Sequence, residues 1–259
     1  MAQFLMIRFG AFRRLALAAA ALGVGLLAWH LAGEQNPVLF ATPGRAIGAL
    51  VELGADGSLG VALWESGVLY AIGLAASIVV GVIYGFLLSR SRLLRDGTQW
   101  LIYLIQAIPV VALTPFILSG LGFGLPAKAL VVFIVTVFPI LINTAEGARQ
   151  VPPVYSEVAT IYGSGELRYW LDVLIPHSVP YVMTGIRQGI AVAFVGTVAA
   201  EFFLNPTGLG GMLLLAGNRF DSAAALGLTL LIAILASLFV ALGAVAERKF
   251  SPWREEVSK

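Results

Sequence analysis

Few residues in this chain are equipped for chemistry, and their spacing excludes most of it. A Walker-type nucleotide loop needs Gly-Lys followed by Ser or Thr. The three lysines, Lys128, Lys249 and Lys259, follow Ala127, Arg248 and Ser258, so the sequence holds no such loop. Cysteine is absent, which removes disulfides, thiolate metal sites and thiol nucleophiles. The two histidines, His30 and His177, fall at the ends of different apolar segments, at opposite faces once the segments alternate, so no metal site is expected. His177 reads as a helix-end residue, and no catalytic residue is expected anywhere in the chain.

What remains are polar side chains embedded in apolar runs, which are costly against lipid and mark either a polar path or helix packing. Gln106 and Thr114 stand with Pro109 and Pro115; proline frees backbone carbonyls that need partners or water. That grouping suits a bent helix lining a translocation pathway, or packing with local hydrogen bonds. Asn143 and Thr144 suit the pathway or the membrane interface. Glu201, ahead of Asn205-Pro206, suits a gate, a contact to an outside partner, or an interfacial carboxylate. Arg187 is expected to snorkel to the surface or to pair with an acid such as Glu146.

The elements that must position these residues follow from composition. Of 259 residues, 59% are hydrophobic and 12% charged, with mean hydropathy +0.93. Soluble domains carry about 25% charged residues, so the bilayer must solvate much of this surface. A spanning helix needs about 20 mostly apolar residues. Six segments qualify, at about 14–32, 65–89, 99–119, 124–144, 179–203 and 223–246. Strand-type alternation is absent, and the fold class expected is an all-α polytopic membrane protein with six transmembrane helices. Arg8, Arg13 and Arg14 ahead of the first run also suit a signal peptide, but no small-x-small cleavage site follows it.

Basic residues set the orientation. With the N-terminus inside, one face holds Arg8, Arg13, Arg14, Arg90, Arg92, Arg95, Arg149, Arg168, Arg248, Lys249, Arg254 and Lys259, and the other only Arg45, Lys128 and Arg219. Both termini are therefore expected in the cytoplasm. The organisation expected is a first segment (1–60) with one span and a periplasmic stretch, a core (61–250), and a short cytoplasmic tail (251–259). Within 36–60, the stretch 45–51 suits a short interfacial helix or a plain linker.

The polar interruption at 152–177 reads as two short helices joined by a turn. Pro152 and Pro153 suit a helix start, with Ser156 as a candidate cap. Gly163-Ser164-Gly165 breaks the helix, and Glu166 to Leu174 can restart it. A solvated loop has no use for Trp170, Leu171 and Leu174, so they must be covered by the protein's own helices or by a partner.

This loop resembles the EAA loop of ABC-transporter membrane subunits, whose pattern is Glu-Ala-Ala, three residues, Gly, nine residues, then Ile-x-Leu-Pro. Glu157, Ala159, Gly163 and Pro176 fall in register, while Val158, Val173 and Ile175 replace Ala, Ile and Leu. Further pieces, including 107–115, 138–144, 180–187 and Ala200-Glu201-Phe202 with Gly208-Leu209-Gly210, are similar to permeases of the nitrate, sulfonate and taurine import group. The resemblance implies a pore subunit of a binding-protein-dependent importer in the inner membrane, working by alternating access. The loop, between helices 4 and 5, would be a cytoplasmic coupling helix. Glu157 would make the polar contact to an ATPase, Ala159 allow close approach, Gly163 make the turn, and Ile175 and Pro176 close the motif. The implied partners are an ABC ATPase dimer holding ATP and Mg, a second permease copy, a periplasmic solute-binding protein and the lipid bilayer. No nucleic acid and no cofactor of this chain's own are expected. An ion-coupled secondary transporter is the alternative, and the solute is a small anion or small organic compound.

Overall fold

A computed structural model describes residues 2–37 and 39–250, with side chains described for 17–37 and 39–247. The expected tail at 251–259 lies outside the described residues, as do the side chains of Arg8, Arg13, Arg14, Arg248 and Lys249. Among the described residues the regular structure is helical, with no strand. In chain order the helices are α1 (Ala2–Gln35), α2 (Pro43–Ala55), α3 (Ser58–Arg90), α4 (Arg92–Ala107), α5 (Val110–Leu121), α6 (Leu125–Arg149), α7 (Pro153–Ile161), α8 (Glu166–Tyr169), a π-helical turn (Trp170–Leu174), α9 (Ile175–Phe203), α10 (Gly208–Asn218) and α11 (Ser222–Phe250). Two units divide the chain: Met1–Gly60 with Met212–Leu231, and Val61–Gly211 with Ile232–Lys259.

Five stretches are long and apolar enough to cross a membrane, at Leu17–Gln35, Ser58–Arg90, Leu125–Arg149, Glu166–Phe203 and Ser222–Glu247. The segment expected as a single span at 99–119 is instead the pair α4 and α5, bent by 100°. Counted as one broken span, the pair brings the total to six. The cause is Pro109, which lacks an N–H and biases the residue before it out of the helical region. Ile108 (φ −75°, ψ 125°) and Pro109 (φ −59°, ψ 118°) are both extended. Pro115, grouped with Pro109 as a helix bender, lies inside α5, which continues through it.

In the smaller unit, the stretch at 36–60 contains a true helix. Pro43 sits in the first turn of α2. Ala46 is buried, and Gly227 approaches its carbonyl so closely that an added Cβ would lie 2.5 Å away. Trp29 Nε1 donates to the Ala41 carbonyl at 2.9 Å. Asp56 accepts from the Ser58 N–H at 2.8 Å, and hydrogen bonding from the Ser58 side chain and backbone holds its carboxyl below the usual range.

The larger unit combines close helix contact with an apolar cluster. Along α3, Gly73, Ser77, Gly81 and Gly85 repeat every fourth residue, which lines them on one face. That face meets α6: a Cβ on Gly85 would lie 2.7 Å from Thr144 Cβ and 2.8 Å from the Leu141 carbonyl. Small residues let backbones approach, the usual solution where lipid offers no hydrophobic drive between helices. Helices α6 and α9 pair extensively. Continuous with the seam through Val132, residues Leu69, Tyr70, Val131, Val132, Ala193 and Phe194 belong to the main cluster.

Candidate functional site

The loop from 150 to 174 divides into two halves with opposite packing. Helix α7 starts at Pro153, with Pro152 at the cap position and no side-chain cap. Ser156 is not the cap: it lies inside the helix and donates to the Pro153 carbonyl at 2.7 Å, because the prolines have already taken the start. Past Ile161 the chain turns at Gly163, whose φ of +68° belongs to the left-handed region that glycine occupies without strain. No residue of α7 is buried. Ile161 is 80% exposed, and Val154, Tyr155 and Val158 are exposed beside it. Glu157 points out with no hydrogen bond or ion pair recorded among the described residues, and Ala159 is half-buried.

The second half is anchored. Arg90 at the end of α3 pairs with Glu166 at 3.2 Å and lies over the Tyr169 ring. Trp170 lies tilted against Phe86, ring centroids 6.1 Å apart, and Leu174 is 3% exposed in a cluster with Phe86 and Ala148. Trp170 and Leu174 are thus covered by the protein's own helices, whereas Leu171 is exposed. In the π-helical turn the Ile175 N–H reaches the Trp170 carbonyl five residues back. The wide turn falls just before Pro176, where a donor is missing in any case. Ile175 and Pro176 open α9, which runs on through Pro180. Between the halves lies a groove of about 370 Å³ lined by Tyr155, Asp172, Val173, Pro176 and His177.

The polar residues of the spans are not gathered into one site. Gln106 and Pro109 are exposed at the α4–α5 break, and Thr114 is buried in α5. Asn143 is not a solvated interfacial group; it is half-buried and donates to the Pro139 carbonyl (2.8 Å) and to Gln188 Oε1 (3.1 Å). Thr144, for which the pathway and the interface were both open, is fully buried and returns its hydroxyl to the Ile140 carbonyl. Arg187 pairs with Glu247 at 3.1 Å rather than with Glu146, which pairs with Arg149 at 3.8 Å.

Glu201 is the largest departure from expectation. It is 1% exposed, where an interfacial carboxylate would be solvated. Its Oε1 accepts from Ser66 Oγ at 2.7 Å and its Oε2 from the Gly210 N–H at 2.9 Å. The Leu209 N–H donates to Ser66 Oγ, and the Gly208 N–H to Glu65 Oε2, both at 2.9 Å. Lys128, 6% exposed, bonds Thr207 nearby and acts electrostatically on Glu201 and Glu65. A cavity of about 270 Å³ adjoins them, lined in part by Trp64, Phe123, Lys128 and Thr207. Sequence reasoning missed Glu65, Ser66, Lys128 and Thr207. The signal was Glu201 followed by Gly208-Leu209-Gly210, three backbone donors that needed partners.

Comparison with known proteins places the chain. Over 157 residues it is 34% identical to the nitrate import permease protein NrtB of Synechocystis sp. (strain ATCC 27184 / PCC 6803 / Kazusa), covering 61% of this chain and 57% of that one. It is 34% identical to the riboflavin transport system permease protein RibX of Chloroflexus aurantiacus, covering 57% and 55%. The formylaminopyrimidine transport permease protein ThiX of Halalkalibacterium halodurans matches at 27%, covering 72% and 74%. The chain spans about half the length of the curated relatives it matches first. Among solved structures, a chain of the MetNI methionine ABC transporter in an inward-facing conformation shares the fold, with TM-score 0.68, 18% identity, and coverage of 76% of this chain and 98% of that one. Residues 77–255, most of the length, match the model of one family, and the chain belongs to it: the binding-protein-dependent transport system inner membrane components.

Proposed function

We propose that this chain is the membrane-spanning permease subunit of an ATP-driven importer, forming the path for a small solute handed over by a periplasmic binding protein. The observation that carries the reading is the division of the 150–174 loop. Its second half is fixed to α3 by Arg90–Glu166 and Phe86–Trp170, while α7 buries nothing and exposes Ile161, Val158 and Glu157. An apolar, uncovered helix on an anchored base is what a partner's groove accepts. The partner is a separate ABC ATPase dimer, which holds ATP and Mg; Glu157, Ala159, Gly163, Ile175 and Pro176 form the docking motif. Two copies of the chain enclose the pathway, both termini lie in the cytoplasm of the inner-membrane protein, and Gln106, Pro109, Thr114 and Asn143 are the pathway candidates. Glu201 is set apart from them by its buried partners.

The solute is a small anion or small organic molecule, as suggested by relatives named for nitrate, bicarbonate, riboflavin and formylaminopyrimidine transport. The test is ATP hydrolysis by this chain assembled with its neighbouring ATPase in lipid nanodiscs, with and without binding protein and candidate solutes. Hydrolysis that rises with loaded binding protein supports an importer. Absence of any associated ATPase, with ion-driven uptake instead, replaces this reading with a secondary carrier.

A further inference from the structure

The first turn of a helix leaves backbone N–H groups without partners, and a local side chain usually caps them. Helix α10 is capped differently. Its first three donors, Gly208, Leu209 and Gly210, are taken by Glu65 and Ser66 from α3 and by Glu201 from α9. Ser66 then donates to Glu201, so three helices meet in one hydrogen-bonded node. The node is closed as well as bonded. A Cβ on Gly208, where φ is +62°, would lie 2.0 Å from Glu201 Oε1; one on Gly210 would lie 2.6 Å from the Val198 carbonyl. Ser66, Leu209 and Glu201 are all buried.

Glu201 stands two residues from the end of α9, and the first turn of α9 contains Pro176 of the loop motif. One continuous helix of 29 residues therefore joins the two places, about 43 Å end to end. We propose that Glu201 and Ser66 are positioning residues that clasp the start of α10 to α9 and α3, so that motion of the loop is delivered to the Thr207–Gly210 segment rather than lost in the turn at 204–207. The clasp suits this because its members are buried and bonded to one another. Opening it would leave the buried Leu209 N–H, Ser66 hydroxyl and Glu201 carboxyl without these partners, so the segment moves with α9 or the node breaks. Glu65 is exposed and contributes only the outer bond.

The proposal rests on the reading of the α7 loop as an ATPase dock, and the experiment separates the two. The complete complex with ATPase and binding protein is assembled in nanodiscs or proteoliposomes, and ATPase association, basal hydrolysis and solute uptake per ATP hydrolysed are measured for the natural chain, Glu201→Gln and Ser66→Ala. No ATPase association by the natural chain overturns the dock itself. Given a coupled natural complex, both variants are expected to keep ATPase association and basal hydrolysis while uptake per ATP falls about tenfold. The double variant is expected to add little beyond either single one, because both act through one node. Unchanged uptake per ATP in both variants refutes the clasp. So does a parallel loss of assembly and uptake in both, which would make the node a folding element only.

Discussion

Replacing Ile161 by serine separates the two roles a surface apolar residue can have. Ile161 is 80% exposed at the end of α7. Fully burying an isoleucine is worth about 1.5–3 kcal/mol, so the fifth already covered contributes about 0.3–0.6 kcal/mol to the fold. The remaining four fifths become available only when a partner covers them, about 1.2–2.4 kcal/mol, or roughly an 8- to 60-fold loss of ATPase affinity. Leu174→Ala is the reciprocal case. At 3% exposure in the Phe86–Ala148 cluster it is expected to cost about 2–5 kcal/mol of stability, with little change in ATPase affinity of the folded fraction. The assay is a binding titration of the ATPase onto nanodisc-embedded permease, with thermal unfolding of each variant alongside. If Ile161→Ser lowers the unfolding temperature as much as Leu174→Ala and leaves ATPase affinity untouched, α7 is buried within the protein's own assembly and the docking argument fails.

Glu157→Arg is expected to insert and unfold normally, within about 0.5 kcal/mol, yet to lose ATPase copurification by at least about 30-fold, since reversing one member of a charge-assisted contact costs about 2 kcal/mol or more. Gly85→Ala should destabilise the α3–α6 seam by about 1–3 kcal/mol, because its Cβ would meet Thr144 Cβ and a backbone carbonyl. Gly67→Ala on the same helix meets open space and should be neutral or stabilising by up to about 1 kcal/mol; thermal unfolding of the pair decides, and equal effects would remove the close-contact seam. Gln106→Leu, at an exposed position beside the α4–α5 break, should change solute uptake kinetics without changing the unfolding temperature. Unchanged kinetics would return Gln106 to a lipid-facing or packing role.

The spans were legible because the bilayer makes length and apolarity local requirements: every backbone group must be satisfied within its own helix, so a run such as Ser58–Arg90 declares itself without reference to the rest of the chain. The loop's punctuation was legible for a similar reason. Pro153 starts α7 and Gly163 ends it through their own dihedral preferences. The break at Pro109 was half legible. Proline announces a bend, but the 100° turn that makes two helices of 99–119 arises only once Ile108 and Pro109 both become extended.

What the sequence could not decide is which surface covers which residue. Trp170 and Ile161 are both apolar residues in the same polar loop, yet one meets Phe86, 84 positions earlier, and the other is 80% exposed. Glu201 suited a gate, an outside contact or an interfacial carboxylate because its neighbours in sequence place it near a span end. Its partner Ser66 lies 135 residues away. Hydropathy and local dihedral preference act over a few residues and are written in the sequence. Burial and hydrogen-bond pairing are settled only when distant helices close against one another, so tertiary structure alone decided that α7 is free and that Glu201 is a cap.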